Sequence, residues 1–171
     1  GSATIAGGGP KTWDDPTPGN LATDNYATVS GGAENVAGNN NANRADAEFA
    51  TVGGGNMNQA DARQATVGGG GGNHAGYRAT VSGGLRNDAL GSYSAIPGGL
   101  DNLAEGNYSF AAGRNAYAAT DGSFVWADST NAQFTGSLSD SFSVRANGGV
   151  WLVLNSDAQD WWRCYAESGG S

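Results

Sequence analysis

A short motif of the form small–Thr–Val–x–Gly recurs along the chain, and this repeat constrains the fold more than any other feature. Its full copies begin at Ala27, Ala50, Ala65 and Ala79, and weaker copies begin at Ser94, Ser109 and Ser123. With the truncated first copy and the divergent last one, the third positions fall at residues 5, 29, 52, 67, 81, 96, 111, 125 and 143, so that five consecutive steps are 14 or 15 residues. A sustained period of this kind indicates a repeat architecture in which each unit stacks on the next.

A second marker follows the first in the middle of the chain. An alanine lies eight residues after the third position of the motif, and an asparagine lies two residues before that alanine. The alanines are Ala37, Ala60, Ala75, Ala89 and Ala104, and the asparagines are Asn35, Asn58, Asn73, Asn87 and Asn102. Each period therefore predicts two short strands of small residues. We expect the glycines and asparagines between them to form tight turns in the left-handed region of backbone space.

Two strands and two turns consume about 14 residues, which closes one coil of a solenoid whose neighbours stack about 4.8 Å apart. The sequence thus predicts an all-β, parallel β-roll with coils of 14–15 residues. Glycine and asparagine interrupt every run long enough to form a helix, so we expect none. Strand alternation places Ala and Val of the motif on one face and Thr on the other. We expect Ala and Val to point inward, because a tight coil has room only for small side chains.

The outward position of the motif changes in character along the rod. It is Thr28, Thr51, Thr66 and Thr80 in the first copies, and Phe110, Phe124 and Phe142 in the last, with Trp126 beside them. An aromatic stripe of this length needs cover, and the core of a single narrow coil is small. We therefore expect the chain to form oligomers through this face, with Phe110, Phe124, Trp126 and Phe142 at the interface.

Several runs of the sequence resemble a known repeat. The segments YSFAAGR (108–114), DGSFVWAD (121–128) and FSVRANGG (142–149) resemble the YadA-like head repeat of trimeric autotransporter adhesins and of phage-tail-type fibre proteins, and 26–29 and 49–52 resemble its Gly-rich variant. The resemblance covers roughly residues 3–150. It implies a left-handed parallel β-roll, a side-by-side homotrimer, an extracellular location and no catalytic residues.

These features favour a non-enzymatic head module of a bacterial surface fibre. Such a module would bind a host or environmental surface protein, matrix or glycan through the avidity of three identical rods. The alternative is a receptor-binding or spacer segment of a phage-tail-like fibre. A third hypothesis, an enzyme such as a glycan-cleaving tail spike, would require a deep groove lined by carboxylates.

Two long steps divide the predicted β-roll of residues 1–150, with insertions at 7–25 and 33–47. Loops on a rigid scaffold often carry binding residues. The candidates for ligand-binding loops are Trp13, Asp14, Asp15, Asn39, Asn40, Asn41 and Arg44. The alternative interpretation is that the insertions are solvated decorations, or a cap over the unpaired edge of the end coil.

Residues 151–171 form a separate predicted unit, in which two apolar strands flank a turn. We interpret this unit as a β-hairpin-like cap or trimer clamp. The alternative is an aromatic platform for carbohydrate, for which the candidates are Trp13, Trp126, Trp151, Trp161 and Trp162.

Charge and the scarcity of reactive side chains exclude several functions. The net charge is −8 and Lys11 is the only lysine, which argues against nucleic-acid binding and against attraction to anionic membranes. No apolar run approaches the roughly 20 residues that span a bilayer, so we expect no membrane insertion by this segment. The only histidine is His74, expected at a solvent-facing turn, and the only cysteine is Cys164. We therefore expect no catalytic triad, metal centre or cofactor, although Asp14, Asp15 and Asp24 leave open the binding of a single ion.

Overall fold

A computed structural model describes residues 1–8, 19–39, 41–153 and 161–164 of the chain. In this part of the chain the secondary structure consists of strands, turns and bends, and it contains no helix. The described residues accordingly include no helix with the length and apolar character needed to cross a membrane. The prediction of an all-β fold is confirmed for these residues.

Most strands are two residues long in the first two thirds of the chain and lengthen afterwards. In chain order, the first ten are β1 Thr4–Ile5, β2 Leu21–Ala22, β3 Thr28–Val29, β4 Val36–Ala37, β5 Thr51–Val52, β6 Gln59–Ala60, β7 Thr66–Val67, β8 His74–Ala75, β9 Thr80–Val81 and β10 Asp88–Ala89. The following ten are β11 Ala95–Ile96, β12 Gly99–Leu100, β13 Leu103–Ala104, β14 Phe110–Arg114, β15 Ala116–Ala118, β16 Phe124–Ala127, β17 Phe134–Gly136, β18 Phe142–Arg145, β19 Val150–Val153 and β20 Trp161–Cys164.

The strands stack as a parallel β-solenoid. The first sheet has the order β1-β3-β5-β7-β9-β11-β14-β16-β18, with β12 pairing with β14, and the second has the order β17-β15-β13-β10-β8-β6-β4-β2. Successive strands along each sheet come from successive coils, so one pass through both sheets is one sequence period. The two predicted strands per period are confirmed.

The pairing register joins equivalent positions of the repeat. In the first sheet Thr28 pairs with Thr51 and Val29 with Val52, and Phe110 pairs with Phe124 in later coils. Ala60 pairs with Ala75 in the second sheet. Equivalent residues therefore form columns along the rod, as the spacing predicts.

The core is a column of small side chains inside the coils. The inward residues of the motif are buried: the first Ala and the Val of the four full copies have an exposed fraction of 0%, and Ser94, Ser109 and Ser123 of the weaker copies have at most 2%. The marker alanines, such as Ala60 and Ala75, are equally buried. The predicted inward orientation of Ala and Val is confirmed.

The marker asparagines form a second buried column, and their predicted role is wrong. Asn58 does not adopt a left-handed backbone; its side chain has an exposed fraction of 0% and lies inside the coil. It donates to the carbonyls of Gly54 and Gly70, at 2.8 and 3.0 Å, and its Oδ1 accepts the backbone N–H of Asn73 at 3.1 Å. The left-handed position is instead the preceding one, here Met57 with φ 55°. The asparagines thus tie the carbonyls of neighbouring coils together from within.

The extra residues of the two long periods interrupt this regular stack near its beginning. Those of the second long period lie between β4, which ends at Ala37, and β5, which begins at Thr51. In the first long period, residues 9–18 between β1 and β2 lie outside the described residues. At the other end of the chain, β19 and β20 pair antiparallel in a sheet of their own.

Candidate functional site

Three phenylalanines form a stacked ladder on the outer side of the first sheet. Phe110, Phe124 and Phe142 occupy equivalent outward positions of β14, β16 and β18. The ring centroids of Phe110 and Phe124 lie 4.5 Å apart at an interplanar angle of 5°, and those of Phe124 and Phe142 lie 4.7 Å apart at 21°. These spacings follow from the separation of paired strands, which is about 4.8 Å. The outermost ring, Phe142, is 70% exposed.

Trp126 widens this ladder into an apolar face. It is the second outward residue of β16 and pairs with Ala112 on one side and Val144 on the other. Its side chain remains 38% exposed. With Phe124, Phe142 and Val144 it lines a shallow cleft of about 410 Å³. We call Phe110, Phe124, Trp126, Phe142 and Val144 the aromatic face.

A hydrogen-bonded clasp supports one edge of the aromatic face. Arg145 Nε donates to Asp128 Oδ1 at 3.0 Å, and Asp128 Oδ2 accepts the backbone N–H of Asn147 at 2.9 Å. The backbone N–H of Asn147, the Thr130 hydrogen bonds and the Arg145 guanidinium hold the pKa of Asp128 well below its usual range. Both members of the ion pair are largely buried. The clasp therefore fixes the backbone on the side of Trp126 away from the phenylalanine ladder.

The outer side of the first sheet changes from polar to apolar along the rod. Thr66 and Thr80 occupy the same outward column as the phenylalanines, and Ala95 lies between the two groups. The residues predicted at the interface, Phe110, Phe124, Trp126 and Phe142, are thus brought together on one face. None of the side chains that make up the aromatic face carries a charge.

The part of the predicted insertion 33–47 that follows β4 is tied to the solenoid by hydrogen bonds of Arg44 and Asn39. Arg44 donates a hydrogen bond to the backbone carbonyl of Thr23. Asn41 Nδ2 donates to Asp46 at 2.7 Å, and the backbone N–H of Asn39 donates to Asp24 at 2.9 Å. These candidates from the sequence are engaged in internal contacts that shape the loop.

The remaining sequence candidates fall elsewhere. Trp13, Asp14, Asp15 and Asn40 lie outside the described residues. Of the five tryptophans, Trp126 is the one whose side chain the structure describes.

Sequence reasoning missed a ridge of large side chains along one corner of the rod. It consists of Tyr26, Phe49, Gln64, Arg78, Tyr93 and Tyr108, each with φ between 54° and 62°. The Tyr26 and Phe49 rings stack at 4.9 Å, and the Tyr93 and Tyr108 rings stack at 5.2 Å. Arg78 donates to Gln64 on one side and to the Tyr93 hydroxyl on the other. The available signal was an aromatic residue directly before the first residue of four copies of the motif.

His74 differs from its predicted position. It lies in β8 rather than in a turn, and its half-buried ring contacts Asp61 at 2.8 Å from Nε2 to Oδ1. The hydrogen bond that the His74 ring donates to Asp61 raises the pKa of His74, and burial raises the pKa of the neighbouring Asp88. The ring is therefore a structural partner on the outer side of the second sheet.

The described residues contain no group of three or more His, Cys, Asp or Glu side chains arranged to hold a metal ion. No protein-family model matches the chain, and a search among curated proteins returns no match. The function is therefore argued from the geometry of the solenoid and of its aromatic face.

Proposed function

We propose that the chain is a non-enzymatic structural and adhesive module of an extracellular fibre, in which three copies lie side by side with their aromatic faces between them. The observation that carries this proposal is the exposed, uncharged ladder of Phe110, Phe124 and Phe142 with Trp126 beside it. Monomeric proteins rarely leave an apolar patch of this kind uncovered. The left-handed sense of the coils implied by the resemblance belongs to the same proposal.

A second copy of the chain is the occupant that best fits the aromatic face. The chain carries a net charge of −8, so two copies repel each other over most of their surfaces. The aromatic face has no charged side chain, and its rings repeat every 4.5–4.7 Å along the rod. An identical rod presents rings at the same spacing, which allows regular packing of one ladder against another.

The solenoid also gains stability from such an association. Most coils bury one Val or Ile and a few alanines, while all of their residues must be ordered. Covering Trp126 and Phe142 adds large apolar side chains to a shared core. The outer walls of the rods, including the inserted loop and the corner ridge, remain available for a surface protein or glycan. Three copies then bind together, which increases retention without a deep pocket.

Two substitutions test the interface. We expect Phe124→Ser and Trp126→Ser to convert the assembly to monomers in sedimentation equilibrium. Leu138→Ser is the matched control, because Leu138 is 72% exposed and does not belong to the aromatic face. The proposed interface is wrong if both face variants sediment like the wild type, or if the control dissociates equally.

Retention on surfaces tests the adhesive role. Wild-type protein and the Trp126→Ser variant are passed over immobilised glycans and extracellular-matrix proteins. If avidity operates, the monomeric variant dissociates at least about tenfold faster from any surface that retains the wild type. If the assembled wild type is retained on none of these surfaces, the adhesive role is wrong and only the structural role remains.

A further inference from the structure

The last tyrosine of the corner ridge has one ring face that no residue of the ridge covers. The rings of Tyr93 and Tyr108 stack at 5.2 Å with an interplanar angle of 10°, so the other face of Tyr108 is turned toward the next coil. At this corner the next coil has Gly122, whose backbone N–H donates to the Asn107 carbonyl at 2.9 Å. Because glycine has no side chain, Tyr108 is 69% exposed, compared with 42% for Tyr93.

The opposite end of the same stack shows which group fits a face of this kind. Arg78 is the ridge residue one coil before Tyr93, and its Cζ atom lies 5.3 Å from the centroid of the Tyr93 ring. A cation in this position is attracted by the electron-rich face of the ring. Arg78 therefore occupies toward Tyr93 the place that Gly122 occupies toward Tyr108. The spacing of the coils already suits a guanidinium stacked on a tyrosine.

Two carboxylates lie beside the open face of Tyr108. A Cβ at Gly122 would be 2.2 Å from Asp140 Oδ1, so this oxygen lies at the level of Gly122, one coil beyond the ring. Asp121 directly precedes Gly122, and its Oδ1 accepts the backbone N–H of Asn107 at 2.8 Å. Among the described residues, the carboxylates in ion pairs are Glu48, Asp61, Asp101 and Asp128. Asp121 and Asp140 thus place negative charge beside the ring without a cationic side chain of the described chain paired to it.

We propose that Tyr108, Asp121 and Asp140 bind an arginine side chain of a partner protein. The guanidinium stacks on the open face of Tyr108, as Arg78 does on Tyr93, and donates hydrogen bonds to the carboxylates. Both interactions require a cation, and the net charge of −8 attracts basic partner surfaces. Arginine fits better than lysine, because a planar guanidinium stacks on a ring and donates several hydrogen bonds at once. This inference rests on the adhesive role proposed above, but not on the packing of three copies.

Binding of the full-length protein to immobilised peptides tests the site. One surface carries a glycine-rich peptide with several arginines, and the other carries the same peptide with citrulline, which has a similar shape but no charge. We expect the wild type to dissociate at least about tenfold more slowly from the arginine surface, and this difference to shrink at high salt. On that surface Tyr108→Leu and Asp140→Asn should each raise the dissociation constant at least about threefold.

Two matched variants serve as controls. Asp46→Asn removes the same charge as Asp140→Asn from another exposed aspartate, and should bind like the wild type. Tyr26→Leu makes the same substitution as Tyr108→Leu elsewhere on the ridge, where Tyr26 stacks on Phe49, and should also bind like the wild type. Circular dichroism establishes that each variant is folded, and sedimentation equilibrium measures its assembly.

Four results would overturn the proposal. The first is equal retention on the arginine and citrulline surfaces, and the second is an equal loss in Asp46→Asn and Asp140→Asn, which would mean attraction by net charge alone. The third is dissociation of the assembly by Tyr108→Leu, which would place this ring between copies of the chain. The fourth is retention on a neutral glycan, but not on arginine, that depends on Tyr108.

The site and the adhesive role fail in different ways. If matrix proteins retain the wild type and folded Tyr108→Leu equally, the site is wrong and the adhesive role stands. If they retain neither protein and the arginine surface retains the wild type alone, the site stands and its partner is not among those matrix proteins.

Discussion

Replacing Asn58 by alanine removes four side-chain hydrogen bonds from the inside of one coil. Its Nδ2 donates to the carbonyls of Gly54 and Gly70, and its Oδ1 accepts from both the backbone and the side-chain N–H of Asn73. The Gly70 carbonyl keeps a second donor, the backbone N–H of Asn56. The Asn73 backbone N–H keeps none, and Asn73 is only 1% exposed. The variant thus buries an unsatisfied amide.

The magnitude follows from these losses. A buried donor left unsatisfied costs about 1–3 kcal/mol, and the Gly54 carbonyl, on a half-buried residue, adds about 1 kcal/mol. We therefore expect Asn58→Ala to lower the free energy of unfolding by about 3 kcal/mol. Asn56→Ala is the control in the same coil. Asn56 Nδ2 makes a single bond to the Ala33 carbonyl, which also accepts the backbone N–H of Met57. This control leaves no group unsatisfied and should cost less than about 1 kcal/mol.

Urea unfolding followed by far-ultraviolet circular dichroism measures both changes at one protein concentration. With a denaturant dependence of about 2 kcal/mol per molar urea, the midpoint should fall by about 1.5 M in Asn58→Ala and by less than about 0.5 M in the control. Equal midpoints for the two variants would refute the idea that the buried asparagine column holds the coils together.

Two further predictions concern Gly84, where neighbouring coils approach closely, and His74 in the second sheet. Gly84 has φ +91°, and a Cβ there would lie 2.4 Å from the Gly99 carbonyl oxygen, whereas the nearest atom to a Cβ at Gly83 is 3.9 Å away. We expect Gly84→Ala to lower the free energy of unfolding by more than about 2 kcal/mol and Gly83→Ala to be nearly neutral in the same urea assay; equal losses would contradict the close approach of the coils. The raised pKa of His74 means that its bond with Asp61 stabilises the fold fully below the unfolded-state pKa of 6.5, and that this contribution is lost as pH rises through the higher folded-state pKa. The melting temperature of the wild type should therefore exceed that of His74→Gln by more at pH 6 than at pH 8. A difference between the two proteins that does not change with pH would exclude this role of His74.

The stacking of the coils was predictable because the motif carries its own register. Residues of equal type recur every 14 or 15 positions, and pairing of Val52 with Val67 keeps each valine inside the rod. A slip of one residue would turn every valine outward, so the spacing alone selects the pairing. The aromatic face followed from the same alternation, since Phe124 and Trp126 lie two residues apart on the outward side of one strand.

The sequence contains a signal for the interior position of the asparagines, although their residue type predicts turns. Asn58 and Ala60 lie two positions apart, which places their side chains on the same side of the chain, and Ala60 is a small residue that fits the tight interior of a coil. Composition favoured the turn, because asparagine is common in left-handed conformations. The interior position is favoured by the backbone, because carbonyls of two coils lie within hydrogen-bonding distance of each asparagine amide.

The pattern marks four positions of the corner ridge by an aromatic residue before the motif, but their left-handed backbone depends on the chain path. Tyr93 and Arg78 have left-handed φ values, which residues other than glycine rarely adopt. Residue propensities therefore do not predict this backbone conformation.

Solution mass tests the central claim, that the aromatic face lies between copies of the chain, most directly. Light scattering at micromolar concentration, repeated at tenfold dilution, should give three times the chain mass of 17.1 kDa at both concentrations. A folded monomer at both concentrations would contradict the claim, because Trp126 and Phe142 would then be open to solvent.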